Sequence, residues 1–316
     1  MAGKTAVVAI GGNSLIKDKM HQTVRDQYVA AGETCWHIAS LVKDGWDVAI
    51  GHGNGPQVGF ILRRSELAAH ELHEVPLDVC GADSQGAIGY ALQQNLQNDF
   101  RRMGLSKHAV TVVTQVEVAA DDPAFHKPSK PIGSYMDESK ALRRRDHEGW
   151  SVMEDAGRGW RRVVPSPIPI RIVEEDVVRS LIDAGTVVIT VGGGGIPVVA
   201  DAEGNLAGVA AVIDKDHASS LLANRIGAEL FIISTAVEKV ALNFGKPNEE
   251  RIDRMTLSQA KEYLAEGIHF AGGSMAPKIQ AVVWYLERGG GEAIITNPEN
   301  VERALAGETG TRITPG

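Results

Sequence analysis

The chain has 316 residues, 43% of them hydrophobic and 23% charged, which supplies a full core and fits two lobes or one large α/β domain. Disorder and collagen-like repeats are excluded, and a formal net charge of −8 leaves no basic footprint for nucleic acid or for an anionic membrane surface. Cys35 and Cys80, the only cysteines, are too few for a disulfide framework and have no metal-ligand spacing.

The N-terminal segment runs from its first lysine into a strand-like stretch, "TAVVAI" from Thr5, and lacks the longer apolar h-region and cleavage site of a signal peptide, so none is expected. No apolar stretch approaches the roughly 18 residues of a transmembrane helix, so a soluble, cytoplasmic protein is expected. Residues 24 to 43 read as an amphipathic helix closed by Gly45, and "WDVAI" from Trp46 as the next strand. Ser84 is expected to open a helix over "SQGAIGYALQQNL", and "AVTVVTQV" from Ala109 reads as a third strand. From about residue 117 to 169 the rhythm breaks, with six prolines and no clear period. Roughly fifty such residues exceed an ordinary connection. Phe125, Tyr135, Trp150 and Trp160 supply aromatic anchors, so a lid-like insert is expected.

Strand-like runs resume with "TVVITV" from Thr186, "LFIIS" from Leu230 and "AIIT" from Ala293, and a helix over residues 279 to 288 is closed by three glycines. These runs are apolar at nearly every position, as in parallel strands buried on both faces. Strands alternating with helices predict an α/β fold with a mainly parallel sheet.

Glycines gather where strands end: Gly11 and Gly12, Gly51 to Gly59, Gly192 to Gly195, and Gly272 and Gly273. In open parallel sheets the ligand crevice lies there, and helix N-termini pointing into it bind anions. The four glycines of "VGGGGIPVVA" cost backbone entropy, and the expected return is a ligand's close approach to the main chain. Two lysines sharpen the pattern. With Asp216 as N-cap and Pro277 at a first helical position, Lys215 and Lys278 sit at the positive ends of helix dipoles. Cations there are disfavoured unless an anion faces them, which points to a nucleotide polyphosphate. Asp214 and Asp216 flank Lys215 and would hold it charged and aimed, as phosphoryl transfer requires.

Other site types fit less well. No P-loop is present, and Pro197 replaces the last glycine of a dinucleotide fingerprint. "ADSQG" around Ser84 approaches a nucleophile elbow but has Ala82 in place of its first glycine and a poor preceding strand. His52 lies among loop glycines with no carboxylate paired to it in sequence, and is read as shaping the loop.

The motifs "VVAIGGNSLI", "GHGNGPQVG", "SQGAIGY", "KPSKPIG", "EDAGRGWRRVVPSP", "GGGGIPVV", "VIDKDHAS", "NFGKP" and "GSMAPKIQA" follow one another in the order seen in carbamate kinases, of the amino-acid-kinase superfamily, which the chain resembles from residue 5 to about 297. The resemblance implies a three-layer sandwich around a mainly parallel sheet with a small protruding lid. Residues 1–213 would form an N-terminal lobe for carbamate or carbamoyl phosphate, with the insert at about 117–169, and residues 214–316 a nucleotide-binding lobe. It implies reversible phosphoryl transfer between ATP and carbamate with Mg²⁺, serving ATP formation in fermentative arginine or purine catabolism, and a homodimer. Catalytic roles carry over to Lys130, Lys215, Asp216 and Lys278. Substrate contacts carry over to Gly11, Gly12, Asn13, Gly53, Asn54 and Gly55, and nucleotide contacts to Asp214, Thr235, Val237, Gly273, Ser274 and Met275. No protein side chain is assigned as a metal ligand. Many relatives place a lysine where this chain has Asn13, and the lid lysine, Lys130, would substitute for it. The rival readings are a related acyl-phosphate kinase, a variant working towards carbamoyl phosphate, and a nucleotide-binding regulator that has lost catalysis.

Overall fold

A computed structural model describes residues 4–12, 15–16, 18, 20–155, 159–270 and 274–316. An eight-stranded sheet forms its centre, in the spatial order Arg254–Thr256, Thr311–Thr314, Glu292–Thr296, Leu230–Ser234, Lys4–Ile10, Trp46–His52, Val187–Ile189, Ala109–Thr111. The pairings are parallel except between Glu292–Thr296 and Thr311–Thr314. Lys4–Ile10 bonds to Trp46–His52 on one side and to Leu230–Ser234 on the other, so one strand joins the two halves of the chain.

The unbroken apolar runs follow from this position. Along Lys4–Ile10, Val7 and Ala9 enter one core cluster, while Ala6, Val8 and Ile10 enter another on the opposite face. Helices Val24–Lys43 and Leu77–Met103 cover the second face; Glu175–Asp183, Lys215–Arg225, Leu257–Glu266 and Met275–Glu287 cover the first. The result is the expected three-layer α/β arrangement.

Two elements differ from expectation. "AVTVVTQV" is two strands: Ala109–Thr111 ends the central sheet, and Gln115–Val118 enters a four-stranded sheet with Leu206–Gly208, Ile196–Ala200 and Pro169–Ile172. The chain turns between them where the Thr114 hydroxyl donates to the Val112 carbonyl at 2.7 Å. Ser84 does not open a helix. The helix begins at Leu77, directly after the extended Pro76, and Ser84 lies fully buried within it, donating to the Gly81 carbonyl at 2.7 Å.

The described residues of the insert form strands and a helix. Gln115–Val118 and Pro169–Ile172 pair antiparallel at its foot. Above them Lys130–Met136, Trp160–Val164 and Ser151–Glu154 form a separate antiparallel sheet beside the helix Glu138–Glu148. The Lys130–Met136 strand leans on helix Gly55–Ala68, close enough that a Cβ on Gly59 would lie 3.2 Å from the Gly133 Cα. Among the described residues no helix is long and apolar enough to cross a membrane.

Candidate active site

Helix Lys215–Arg225 begins at the cleft. Asp214, not Asp216, is its N-cap: the extended ψ of 126° at Asp214 lets its carboxylate accept from the Asp216 amide at 2.9 Å. Lys215 is therefore the first helical residue, and the Asp216 side chain is free for another task. It accepts from Lys215 Nζ and from Lys278 Nζ, the latter at 3.0 Å. Lys278 comes from the first turn of Met275–Glu287, where Pro277 occupies the third position and not the first. Asp214 also reaches across to the lid and accepts from Lys130 Nζ at 2.6 Å.

Two carboxylates thus hold three ammonium groups in a cleft of about 200 Å³. Burial opposes charge on Asp216, but Lys215 and then Lys278 override it and hold the carboxyl below the usual range. Asp214 shows the same balance, with Lys130 foremost among the groups that lower it. The two buried lysines diverge: burial dominates at Lys215 and pulls it below its ordinary value, whereas at Lys278 the pull of Asp216 outweighs burial and raises it. Both head helices whose positive ends face the cleft, so an arriving phosphate meets two dipoles and three cations.

Gly53, Asn54 and Gly55 line the opposite wall. The Gly53 amide donates to the Ile10 carbonyl at 2.9 Å, and a Cβ on Gly53 would lie 3.3 Å from the Gly12 amide nitrogen and 3.4 Å from the Lys215 stem. Gly11 backs onto Ser234 and Thr235. These loops therefore meet beside Lys215. The tetraglycine has a different explanation from the one expected. Its glycines admit other parts of this chain: a Cβ on Gly193, whose φ is 66°, would lie 2.0 Å from Asn54 Nδ2, and one on Gly192 would lie 2.3 Å from His52 Nε2. Only Gly193 of the four lines the cleft.

Ser84 and Gln85 are the residues that the sequence reading missed. Asn54 Nδ2 donates to Ser84 Oγ at 2.8 Å, and Gln85 Nε2 bridges the Thr114 and Gly192 carbonyls at 3.0 Å each. Together they fix the Gly53–Gly55 wall and the tetraglycine to the long helix. The only available signal was "SQG" itself, whose residues read as a cap. His52 is buried, donates from Nδ1 to the Gly53 carbonyl at 3.1 Å, and is lowered to about 4, chiefly by burial. It is a neutral strut of the loop.

Of the residues expected to contact a nucleotide, Asp214 and Ser274 line the cleft. Thr235 and Val237 lie outside that lining, although Thr235 abuts Gly11, and Met275 packs its side chain on the core. Asn13 and Gly273 lie outside the described residues. Among the described residues no group of three or more metal-binding side chains occurs. Asp214 and Asp216, both lysine-bound, are the lining carboxylates, a donor set that suits a Mg²⁺ carried by substrate phosphates rather than a protein cage.

Residues 4–297 match the model of the amino acid kinase family. The chain is 49% identical over 310 residues to carbamate kinase-like protein YahI of Escherichia coli K12, covering 97% of this chain and 98% of that one. It is 42% identical over 315 residues to the carbamate kinase of Pyrococcus furiosus, covering 99% and 100%. Carbamate kinase from Giardia lamblia bound to AMP-PNP superposes with a TM-score of 0.92 at 41% identity, covering 99% of each chain.

Proposed function

The chain belongs to the amino acid kinase family, and we propose that within it this protein is a carbamate kinase, transferring phosphoryl reversibly between ATP and carbamate, with ATP formation as its physiological direction. The observation that carries this reading is the Asp216 carboxylate gripping both Lys215 and Lys278 at the heads of two helices.

In the ATP-forming direction a terminal β-phosphate oxygen of ADP attacks the phosphorus of carbamoyl phosphate. The bond from phosphorus to the carbamoyl oxygen breaks, and carbamate leaves as an anion, so no general base is needed. Charge on the moving phosphoryl must be matched along the line of transfer. Lys215 and Lys278, preset by Asp216, would meet its oxygens; Lys130, delivered by the lid, would meet the carbamoyl phosphate end. The amide of Gly12, with Asn54, would orient the acceptor, while the Gly53 amide stays bonded to Ile10. Mg²⁺ arriving with the nucleotide, within reach of Asp214 and Asp216, would neutralise phosphate charge. The resting contacts to Asp214 and Asp216 hold the three ammonium groups in the cleft, so little reorganisation would precede reaction.

Residues 1–213 and 214–316 serve in this reading as the acceptor and nucleotide lobes. A homodimer belongs to it too, supported by Val24, Val29, Trp36 and Tyr90, which are exposed on the neighbouring helices Val24–Lys43 and Leu77–Met103. Substituting Lys215→Ala or Lys278→Ala is expected to lower kcat on the order of a hundredfold while ADP affinity changes only a few-fold. Equal losses in both quantities would contradict the assigned roles.

A further inference from the structure

A second cavity, of about 110 Å³, lies between helix Gly55–Ala68 and the lid. Arg63, Lys140, Arg144 and Arg162 line it against a single carboxylate, Glu66, together with the Trp150 ring. Glu66 is already engaged, accepting from Arg63 at 3.1 Å and from Arg144 at 3.5 Å. Arg144 and Arg162 each set a guanidinium near the Trp150 ring, 4.8 and 4.7 Å from its centroid. Stacking of that kind holds the planar cation in place; the Arg144 fork is taken by Glu148 and Glu66, whereas that of Arg162 is left for another partner. Among the described residues no carboxylate lies within ion-pairing distance of Arg162 or Lys140. Burial pushes Arg162 down, and the opposing pull of Glu66, Glu74 and Glu148 comes from a distance.

Half-buried cations without counter-charges are costly, and a guanidinium fork matches an oxyanion's paired oxygens. We propose that this cavity binds a small oxyanion, a phosphate- or carboxylate-bearing molecule, that clamps the lid to helix Gly55–Ala68. The clamp bears on the catalytic cleft through one strand. Lys130–Met136 begins with Lys130 in the cleft, passes Ile132, which lines both spaces, and ends with Tyr135 and Met136 in the second cavity. An anion there would fix the strand whose first residue is the lid lysine.

The experiment separates this cavity from the cleft by working in a Lys278→Ala host and reading binding rather than turnover. Inorganic phosphate and succinate are titrated separately by calorimetry into the host, and into the host carrying Arg162→Gln or Lys140→Gln. Saturable binding of one of them is expected, weakened about tenfold by each added substitution, and the anion that binds identifies the headgroup. Saturating anion should also slow tryptic cleavage within residues 137–149 of the host and leave cleavage of the Arg162→Gln form unchanged. Absence of binding in the host, equal affinity with and without the second substitutions, or binding without protection of the lid would each overturn the proposal.

Discussion

At the scale of single residues the site depends on buried side chains that hold other side chains. Ser84 is completely buried and gives Asn54 its one side-chain partner among the described residues. Ser84→Ala removes a hydrogen bond of about 1 kcal/mol. It is expected to raise KM for carbamoyl phosphate about fivefold while leaving ADP affinity unchanged; an unchanged KM would show that Asn54 is held otherwise. His52 has a folded value of about 4, below its unfolded 6.5, so the native state keeps it neutral while the unfolded chain protonates. Its contribution is complete above pH 6.5 and is lost as the pH falls towards 4, by at most about 3 kcal/mol. His217, likewise lowered mainly by burial, adds in the same direction. Urea midpoints measured from pH 7 to pH 4.5 should fall steeply for the native chain and less steeply for His52→Gln. Parallel slopes would remove His52 from this role. The lysines were legible from sequence because a cation at a helix N-terminus is anomalous. The cap was not, since "DKD" offers two aspartates of equal capping strength and only the backbone angle at Asp214 decides between them.

At the scale of elements, the Lys215–Arg225 helix and the lid meet in Asp214, which caps the one and holds the other. Asparagine caps about as well as aspartate but cannot pair with an ammonium. Asp214→Asn should therefore keep thermal stability while lowering kcat/KM about tenfold. Asp214→Ala should show the same kinetic loss and cost about 1 kcal/mol of stability besides. If both variants matched the native chain in kcat/KM, the Lys130 contact would have no part in the reaction. The strands of the central sheet could be read from sequence because burial on both faces leaves them apolar throughout. The lid strands could not: Lys130–Met136 and Ser151–Glu154 are partly exposed along their length, so their residues carry no apolar run. Helix Leu77–Met103 was hidden in its first two turns by Val79 and Gly81, whose weak helix propensity is overridden by the burial of Leu77 and Cys80.

At the scale of the whole molecule, a chain of net charge −8 gathers Lys130, Lys215 and Lys278 around one cleft. The sheet makes this possible by bringing residues from both halves of the sequence to the carboxyl ends of adjacent parallel strands, Lys4–Ile10, Trp46–His52 and Leu230–Ser234. Light scattering should give twice the 33.7 kDa of one chain, and Trp36→Glu should return it to one; a native monomer would withdraw the dimer. The tetraglycine shows the limit of reading function from composition. Its demand for glycine comes from Asn54, His52 and their neighbours packing against it, a long-range requirement that no local pattern encodes.

The most direct test of the reaction is ATP formation from ADP and carbamoyl phosphate with Mg²⁺, run beside acetyl phosphate as a competing donor and with Lys278→Ala as control. Strong preference for carbamoyl phosphate, abolished in the control, is the expected result. Measurable ADP binding without turnover, or equal use of acetyl phosphate, would contradict it.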